Sequence, residues 1–310
     1  MLNNSKSLTR MIDLCRERQN DICAAIEAVD GGSFKEDTWT RDGGGGGITR
    51  VIEGDVIEKG GVNTSVVHGT ITETEAPLFS QLVTKVNPTF KVTTESQFSA
   101  TGISLVLHPK NPFVPTVHAN YRYFELSTGD ETVWWYGGGA DLTPYYLFED
   151  DARHFHAVHK TACETYKEGS YTIFKKECDE YFHIKHRNES RGIGGIFFDY
   201  QHGDSDALYA FASTAGTAFI EAYCPIVSKR KDHDYSDEHL NWQRIRRGRY
   251  AEFNLVYDRG TLFGLKTGGR IESILMSMPP LARWDYDVHP EPGTEEARLN
   301  EILQNPIEWV

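Results

Sequence analysis

The chain has 310 residues, with Lys+Arg 32 against Asp+Glu 45, a formal net charge of -13 at pH 7 and 39% hydrophobic residues. This composition is typical of a folded globular chain, and no stretch approaches the roughly 20 uninterrupted apolar residues of a membrane helix, so no integral membrane segment is expected. The acidic surplus argues against a nucleic-acid partner, and an anionic ligand would need a local patch of arginine.

The cysteines indicate a reducing compartment. They are five in number and widely spaced, with no C-x-x-C pair, which is neither a disulfide framework nor a zinc ribbon. We expect a cytoplasmic protein. Basic residues near the start, interrupted by Asp13 and Glu17, leave a mitochondrial association open.

The first part of the chain predicts a helix followed by strands. Apolar residues at helical spacing indicate a helix over residues 7–29, ended by Gly31. The glycine run 43–47 is interpreted as a mobile loop or lid, because it lacks the strand-before, helix-after context of a phosphate loop. Strands are predicted through most of 48–124, with a hairpin turn near residues 53–55.

The later part of the chain predicts mainly helices. They are expected at 150–167, 171–186 and 205–223, with short ones at 271–278 and 295–303, and strands at 195–198, 250–257 and 262–265. Because the strands come in blocks, the pattern favours an α+β fold with a largely antiparallel sheet. The simplest organisation is a single domain over 1–310.

A polar stripe on the predicted strand 116–126 is the strongest candidate for a site. Period-two alternation puts His118, Asn120 and Arg122 on one face of this strand. If it pairs with the strand over 103–107, Ser104 and His108 join the stripe. A solvent-facing strand is the alternative, but histidine beside arginine suits a concave site for an anion, since a guanidinium forks onto a carboxylate.

Several other segments could carry chemistry. Histidines at 154, 156, 159, 183 and 186 could ligate a metal, although their spacing matches no familiar motif and surface histidines are the alternative. Residues 134–144 place aromatics and glycines before Asp141, which suits close approach of a flat ligand or a simple turn. Residues 265–275 combine a possible helix start with Arg270, which suits a carboxylate.

These segments together closely resemble the oxygen-dependent coproporphyrinogen III oxidase family of haem biosynthesis. The resemblance covers nearly the whole chain. It is carried by long sequence motifs, among them EKGGVN at 58–63, WWYGGGADLTP at 134–144, RGIGGIFFD at 191–199 and LMSMPP at 275–280.

The resemblance implies a homodimer, with residues 250–285 at the interface, whose large flat antiparallel sheet is covered by helices on both faces. It implies oxidative decarboxylation of two propionate groups of coproporphyrinogen III to vinyl groups, giving protoporphyrinogen IX. Molecular oxygen is the oxidant, and no flavin, haem or nicotinamide is implied.

The resemblance also assigns site residues. His118 matches a proton donor, Asp141 matches an acid that engages pyrrole N–H groups, and Arg270 is expected to take part in catalysis. The substrate contacts implied are Ser104, Asn120, Tyr121, Arg122, Gly268, Gly269 and Arg270. Metal ligands proposed for bacterial members match His108, His118, His156 and His186, whereas eukaryote-like members are expected to need no metal, so a divalent metal stays open.

The residues fit this chemistry. Arg122 and Arg270 can fork onto propionates, and Asp141 as a carboxylate could accept pyrrole N–H groups or act as a base. Without the resemblance, two rival hypotheses remain, which are a metal-dependent hydrolase or decarboxylase using the histidines and a non-catalytic tetrapyrrole-binding protein.

Overall fold

The computed structural model describes residues 5–266 and 268–310. At its centre is a seven-stranded antiparallel sheet in the order β1-β2-β3-β4-β5-β6-β9, and β7 pairs with β8 in a separate ribbon. The strands are β1 (Lys35–Thr40), β2 (Gly45–Ile52), β3 (Ile57–Thr70), β4 (Gln97–Pro109), β5 (Thr116–Thr128), β6 (Glu131–Thr143), β7 (His183–Ile184), β8 (Glu189–Ser190) and β9 (Gly195–Gln201).

Helices flank this sheet, and the α+β prediction is confirmed. They are α1 (Lys6–Asp30), α2 (Ala76–Val83), α3 (Glu149–Tyr166), α4 (Ser170–Tyr181), α5 (Ser205–Arg230), α6 (Asp237–Val256), α7 (Arg259–Lys266), α8 (Ile271–Leu275) and α9 (Glu295–Gln304). Within residues 5–266 and 268–310, none of these helices has the length and apolarity needed to cross a bilayer.

One face of the sheet carries the main core. The inward residues of β5, such as Ala119 and Tyr121, belong to a single buried cluster with Met11 of α1 and with Ala215 and Phe219 of α5. Alternation along β5 therefore sends its apolar residues to this face. The polar residues between them must face the other way.

The other face is covered only in part. Near one end, Val106 of β4 packs with Tyr250 of α6 and with Met276, which caps α8. At the far end, Phe79 of α2 packs against Phe98 with the ring centroids 5.1 Å apart. Between these two groups, within the described part of the chain, Ser104 is exposed and Asn120 and Arg122 are partly exposed. We call this partly open region of the face the cleft.

The N-terminal elements agree with the sequence patterns. Helix α1 ends at Asp30, followed by Gly31 in the left-handed region at φ 91°. The turn between β2 and β3 is stabilised by the buried Asp30 carboxylate, which accepts the backbone N–H groups of Asp55, Val56 and Ile57. Strands β4 and β5 pair across the proline-rich connection, as expected.

Three predictions about elements are wrong. The segments 250–257 and 262–265 lie in α6 and α7 rather than in strands. Residues 45–47 of the glycine run are paired within β2, so most of that run is sheet rather than a loop or lid. Helix α4 ends at Tyr181, so His183 and His186 do not share a helix face.

Candidate active site

The polar stripe of β5 lies in the cleft, as its alternation predicted. In register, Asn120 lies between Ser104 of β4 and Gly139 of β6, and Arg122 lies between Gly102 and Gly137. Ser104 is exposed although it sits on a central strand. We call this surface the cleft floor; its residues are Gly102, Ser104, Asn120, Arg122, Gly137 and Gly139.

Glycine keeps the cleft floor open. At Gly137 an added Cβ would lie 2.7 Å from Asp199 Oδ1 and 3.0 Å from the Arg122 guanidinium, so a larger residue would displace that pair. Three of the six floor residues have no side chain; Gly102 is partly exposed, whereas Gly137 and Gly139 are buried.

His118 lies beside the cleft floor, opposite Asp141 in the pairing of β5 with β6. Its Nδ1–H donates to Asp141 Oδ1 at 2.7 Å. The other ring nitrogen, Nε2, lies 3.4 Å from the Asn120 side-chain nitrogen on the floor. In this tautomer Nε2 is directed toward the floor and accepts a hydrogen bond from the Asn120 amide.

Asp141 is held as a buried carboxylate by Arg191. The Arg191 Nη2 donates to the two Asp141 oxygens at 3.0 and 2.8 Å, and Nη1 donates to Asn254 Oδ1 at 2.7 Å. Burial alone would raise the pKa of Asp141, but the Arg191 charge and the hydrogen bond from His118 outweigh it and lower that pKa. Asp141 therefore stays ionised against His118.

The arrangement differs from the role that the resemblance assigns to Asp141. Its side chain is only 2% exposed, and both oxygens are already bonded to His118 and Arg191. Direct contact with a pyrrole N–H group would require these two partners to move, so that role stays a prediction. In this arrangement the Asp141 carboxylate fixes the orientation of the His118 ring.

Sequence reasoning missed the partner of Asp141. Arg191 stands in the quoted word RGIGGIFFD, yet it follows Asp141 by 50 positions and no local pattern couples the two. The guanidinium lies over the rings of Phe182 and Tyr250 at 4.1 and 4.6 Å. Aromatic rings are a common setting for a buried cation.

Arg122 is oriented on the cleft floor by two partners. It donates to Asn120 Oδ1 and forms an ion pair with Asp199 Oδ2 at 3.0 Å. Burial lowers its pKa while Asp199 raises it, and the net shift is upward. Its side chain remains 37% exposed, so it can still meet a ligand carboxylate. Asp199 is a second residue to which the sequence analysis gave no role.

Arg270 lies at the opposite side of the cleft. It forms an ion pair with Asp37 of the edge strand β1, and the adjoining α8 is bonded to β2 through Ser273 and Thr49 at 2.7 Å. Strands β1 and β5 are four strands apart, about 19 Å at ordinary spacing. Arg270 is therefore remote from His118. Gly268 and Gly269 precede it, and Thr267 lies outside the described residues.

The structure does not bring Tyr121 together with the other candidates. Its side chain is 2% exposed, lies in the main core on the opposite face of the sheet, and donates its hydroxyl to the Ala215 carbonyl at 2.9 Å. The reason is the two-residue period of β5, since Tyr121 stands between Asn120 and Arg122.

The four candidate metal ligands are also dispersed. Among the residues that the structure describes, no three His, Cys, Asp or Glu side chains are grouped to hold a metal ion. Both ring nitrogens of His108 are bonded, to Thr116 and to the Ser277 carbonyl, and those of His156 to Tyr171 and the Ile193 carbonyl. His186 bonds Glu252 at 2.6 Å. The four histidines are therefore not arranged to bind one metal ion together within one subunit.

Comparison with known proteins identifies a family. The family model described as coproporphyrinogen III oxidase matches residues 10–309.

Curated relatives match over nearly the full chain. An oxygen-dependent coproporphyrinogen-III oxidase, chloroplastic, of Glycine max is 53% identical over 97% of this chain and 79% of its own length. The coproporphyrinogen-III oxidase 1, chloroplastic, of Arabidopsis thaliana is 51% identical over 99% of this chain and 80% of its own length. An oxygen-dependent coproporphyrinogen-III oxidase of Prochlorococcus marinus (strain NATL1A) is 47% identical over 99% of this chain and 92% of its own length.

Proposed function

The chain belongs to the coproporphyrinogen III oxidase family, and on that premise we propose that its cleft floor holds the tetrapyrrole while His118 moves a proton. The chain is an enzyme that oxidatively decarboxylates coproporphyrinogen III with molecular oxygen, in haem biosynthesis. The observation that carries the proposed role is the chain of contacts from Arg191 through Asp141 to His118.

The reaction requires a proton donor beside the substrate. Each propionate carboxylate leaves as carbon dioxide, and the carbon next to the ring loses a hydrogen with its electron pair, so a vinyl group remains. Dioxygen accepts that hydrogen and electron pair and needs one more proton to become hydrogen peroxide. His118 supplies it from Nε2, because the ionised Asp141 on Nδ1 stabilises the protonated ring.

The cleft floor and its arginines suit the substrate. A porphyrinogen is a wide macrocycle carrying four carboxylates, and it needs an open surface with cations at its margins. Gly102, Gly137 and Gly139 place no side chains on this part of the sheet. Arg122 lies on β5, and Arg270 is paired with Asp37 of β1, about 19 Å away across the sheet. Their guanidinium groups supply forked donors for propionates on different sides of the ring. Ser104 and Asn120 supply polar contacts between them.

Replacing the proton donor tests this proposal. We expect His118→Gln to lower kcat by about 10²- to 10⁴-fold, the usual contribution of a positioned acid or base. Oxygen uptake on adding coproporphyrinogen, with fluorescence of the oxidised product, measures turnover. The exposed His202, bonded to the Tyr200 carbonyl, gives the control His202→Gln. Full turnover by His118→Gln would refute the role.

The same assay separates the rival hypotheses. A hydrolase would give neither oxygen uptake nor the porphyrin signal, and a binding protein would perturb the ligand without consuming oxygen. We propose that no divalent metal, flavin or haem is required; the bonded ring nitrogens of His108 and His156 support this for the metal. Undiminished turnover after chelation is the expected result, and loss restored by one divalent metal would contradict it.

We propose that the chain forms a homodimer through residues 250–285. Of eleven large hydrophobic side chains exposed among the described residues, six lie in that stretch: Leu255, Val256, Leu265, Ile271, Leu281 and Trp284. Such a concentration is typical of an interface. We expect sedimentation to give a dimer and Val256→Glu to shift it toward monomer. A monomeric wild type would refute the proposal.

The remaining proposals concern organisation and compartment. We propose one coproporphyrinogen oxidase domain over residues 1–310 and a cytoplasmic location. The free state of all five cysteines supports a reducing compartment. Cell fractionation tests the location; recovery with an organelle, as the names of the plant relatives indicate for those proteins, would contradict it.

A further inference from the structure

The end of the chain contacts the loop that carries Arg191. Trp309 is 2% exposed, and its indole N–H donates to the Ile193 carbonyl at 3.3 Å. His156, which is fully buried, donates its Nε2–H to the same carbonyl at 3.0 Å. Two buried donors from distant parts of the chain therefore meet on one carbonyl oxygen.

The terminal segment has its own anchors. Arg153 of α3 donates to the Trp309 carbonyl at 3.0 Å. Lys175 of α4, only 3% exposed, donates to the Ile307 carbonyl at 2.8 Å and pairs with Asp179 at 2.6 Å. These contacts fix residues 307–309 against two helices, so the indole is held in place rather than resting on the surface.

The loop over residues 191–194 holds Asp141 in two ways. Its backbone pairs with Leu142, the residue after Asp141, through Ile193 N–H to the Leu142 carbonyl at 2.9 Å and Leu142 N–H to the Gly194 carbonyl at 3.0 Å. Its side chain Arg191 bonds the Asp141 carboxylate at 2.8 Å. Movement of Ile193 would therefore disturb both the backbone pairing with Leu142 and the bond between Arg191 and Asp141.

We propose that Trp309 and His156 are positioning residues for the reaction. By fixing the Ile193 carbonyl they hold the loop over 191–194, and through Arg191 and Asp141 they set the direction of His118 Nε2. This inference rests on the proposed role of His118. A group that sets direction acts on the chemical step, so its loss lowers kcat and leaves KM nearly unchanged.

The variant Trp309→Phe keeps an aromatic ring and removes the N–H donor. We expect kcat to fall about fivefold to tenfold with KM within about twofold of wild type. Leu303→Ala is the matched control, because Leu303 of α9 is buried in the same core cluster and bonds no part of the loop. It should lower the melting temperature and leave kcat unchanged.

Combining Trp309→Phe with His118→Gln distinguishes positioning from general stability. If Trp309 acts through His118, adding Trp309→Phe to His118→Gln costs no further activity. A full additional loss in that background would overturn the inference, as would wild-type kcat for Trp309→Phe alone. If His118→Gln alone has no effect, the proposed function fails as well, so the two failures are distinguishable.

Chemical rescue keeps the test valid if the protein tolerates substitution poorly. Trp309→Gly should regain kcat with added indole and should not regain it with benzothiophene, which has nearly the same shape and no N–H donor. Equal rescue by both compounds would show that Trp309 only fills space and would overturn the inference.

Discussion

Asp141 is almost fully buried and bonds two different partners, and its replacement should separate orientation from binding. In Asp141→Asn the amide cannot stabilise a protonated His118 and leaves the buried Arg191 without a counter-charge. We expect kcat to fall about 10³-fold or more, with KM little changed. Stability should fall by about 3–5 kcal/mol.

Oxygen uptake and urea unfolding measure the two effects on Asp141→Asn independently. A variant that kept wild-type turnover would show that the carboxylate does not orient His118. A variant that bound substrate poorly at unchanged kcat would instead support direct contact between Asp141 and the ligand.

Gly137 tests the open cleft floor. In Gly137→Ala the new Cβ would lie 2.7 Å from Asp199 and 3.0 Å from Arg122, so the guanidinium must move. We expect KM for coproporphyrinogen to rise about tenfold, which corresponds to about 1.4 kcal/mol of binding. Gly216→Ala is the control, since it lies in α5 and its nearest neighbour is the side chain of Arg18 at 3.2 Å. An unchanged KM in Gly137→Ala would show that the cleft floor accommodates the added methyl group without displacing Arg122.

For single residues, the sequence predicted the polar stripe of β5 but not the buried contacts that orient His118. Strand alternation alone placed His118, Asn120 and Arg122 on one face. It could not show that Asp141 is buried or that Arg191 reaches it, because both depend on where a loop 50 positions later packs. Roles that need a distant partner are invisible to local patterns.

Among the elements, the ribbon of β7 and β8 is attached to α6 through Glu252. This carboxylate bonds His186 at 2.6 Å and Arg187 at 2.8 Å. Burial would raise its pKa, but the hydrogen bonds from Arg187 and His186 and the charge of Arg249 outweigh it and lower the pKa to about 2. Glu252 thus stabilises the fold fully above about pH 4.5 and progressively less as the pH falls toward 2.

The variant Glu252→Gln should therefore be less stable than wild type at pH 6 and nearly equal to it near pH 2. Urea unfolding across this range measures the difference in free energy of unfolding. A difference that did not shrink as the pH fell would show that the contribution of Glu252 is not electrostatic.

Element predictions failed where tertiary packing overrode local preference. The segment 250–257 is rich in aromatic and β-branched residues, which favour strands, yet it forms the end of α6 because Tyr250 and Phe253 are buried on one side of that helix. No element was predicted over strand β6, which contains three consecutive glycines. Their backbone pairs on both sides, and pairing rather than propensity decides that strand.

For the molecule as a whole, buried neutral histidines should set the acid limit of stability. Burial lowers the pKa of His108, His156 and His159 to about 3 in each case. Below pH 6.5 the unfolded chain binds protons that the folded chain excludes, so stability falls as the pH falls from 6.5 toward 3. Three such groups give a slope of about 4 kcal/mol per pH unit.

His159 offers the clearest test, because neither ring nitrogen has a hydrogen-bond partner among the residues that the structure describes. His159→Leu should raise the melting temperature near pH 5 relative to wild type and flatten its dependence on pH. The exposed His289, bonded to Asp287, gives the control His289→Leu. An undiminished slope in His159→Leu would refute the assignment.

The net charge of -13 describes the surface rather than the cleft. Arg122, Arg191 and Arg270 gather around the functional face even though acids outnumber bases in the chain. Bulk charge argues against a nucleic-acid partner, but the positions of these arginines follow only from the fold.

The sheet order has a consequence for how the chain is made. Strands β1 to β6 pair in the order in which they occur, and β9 joins only after α3 and α4. A chain emerging from the ribosome can therefore add each strand to one already present. His118 and Asp141 would meet on this early sheet, whereas Arg191, α6 and the terminal Trp309 arrive later. We expect nascent chains to acquire a sheet well before they acquire a working catalyst.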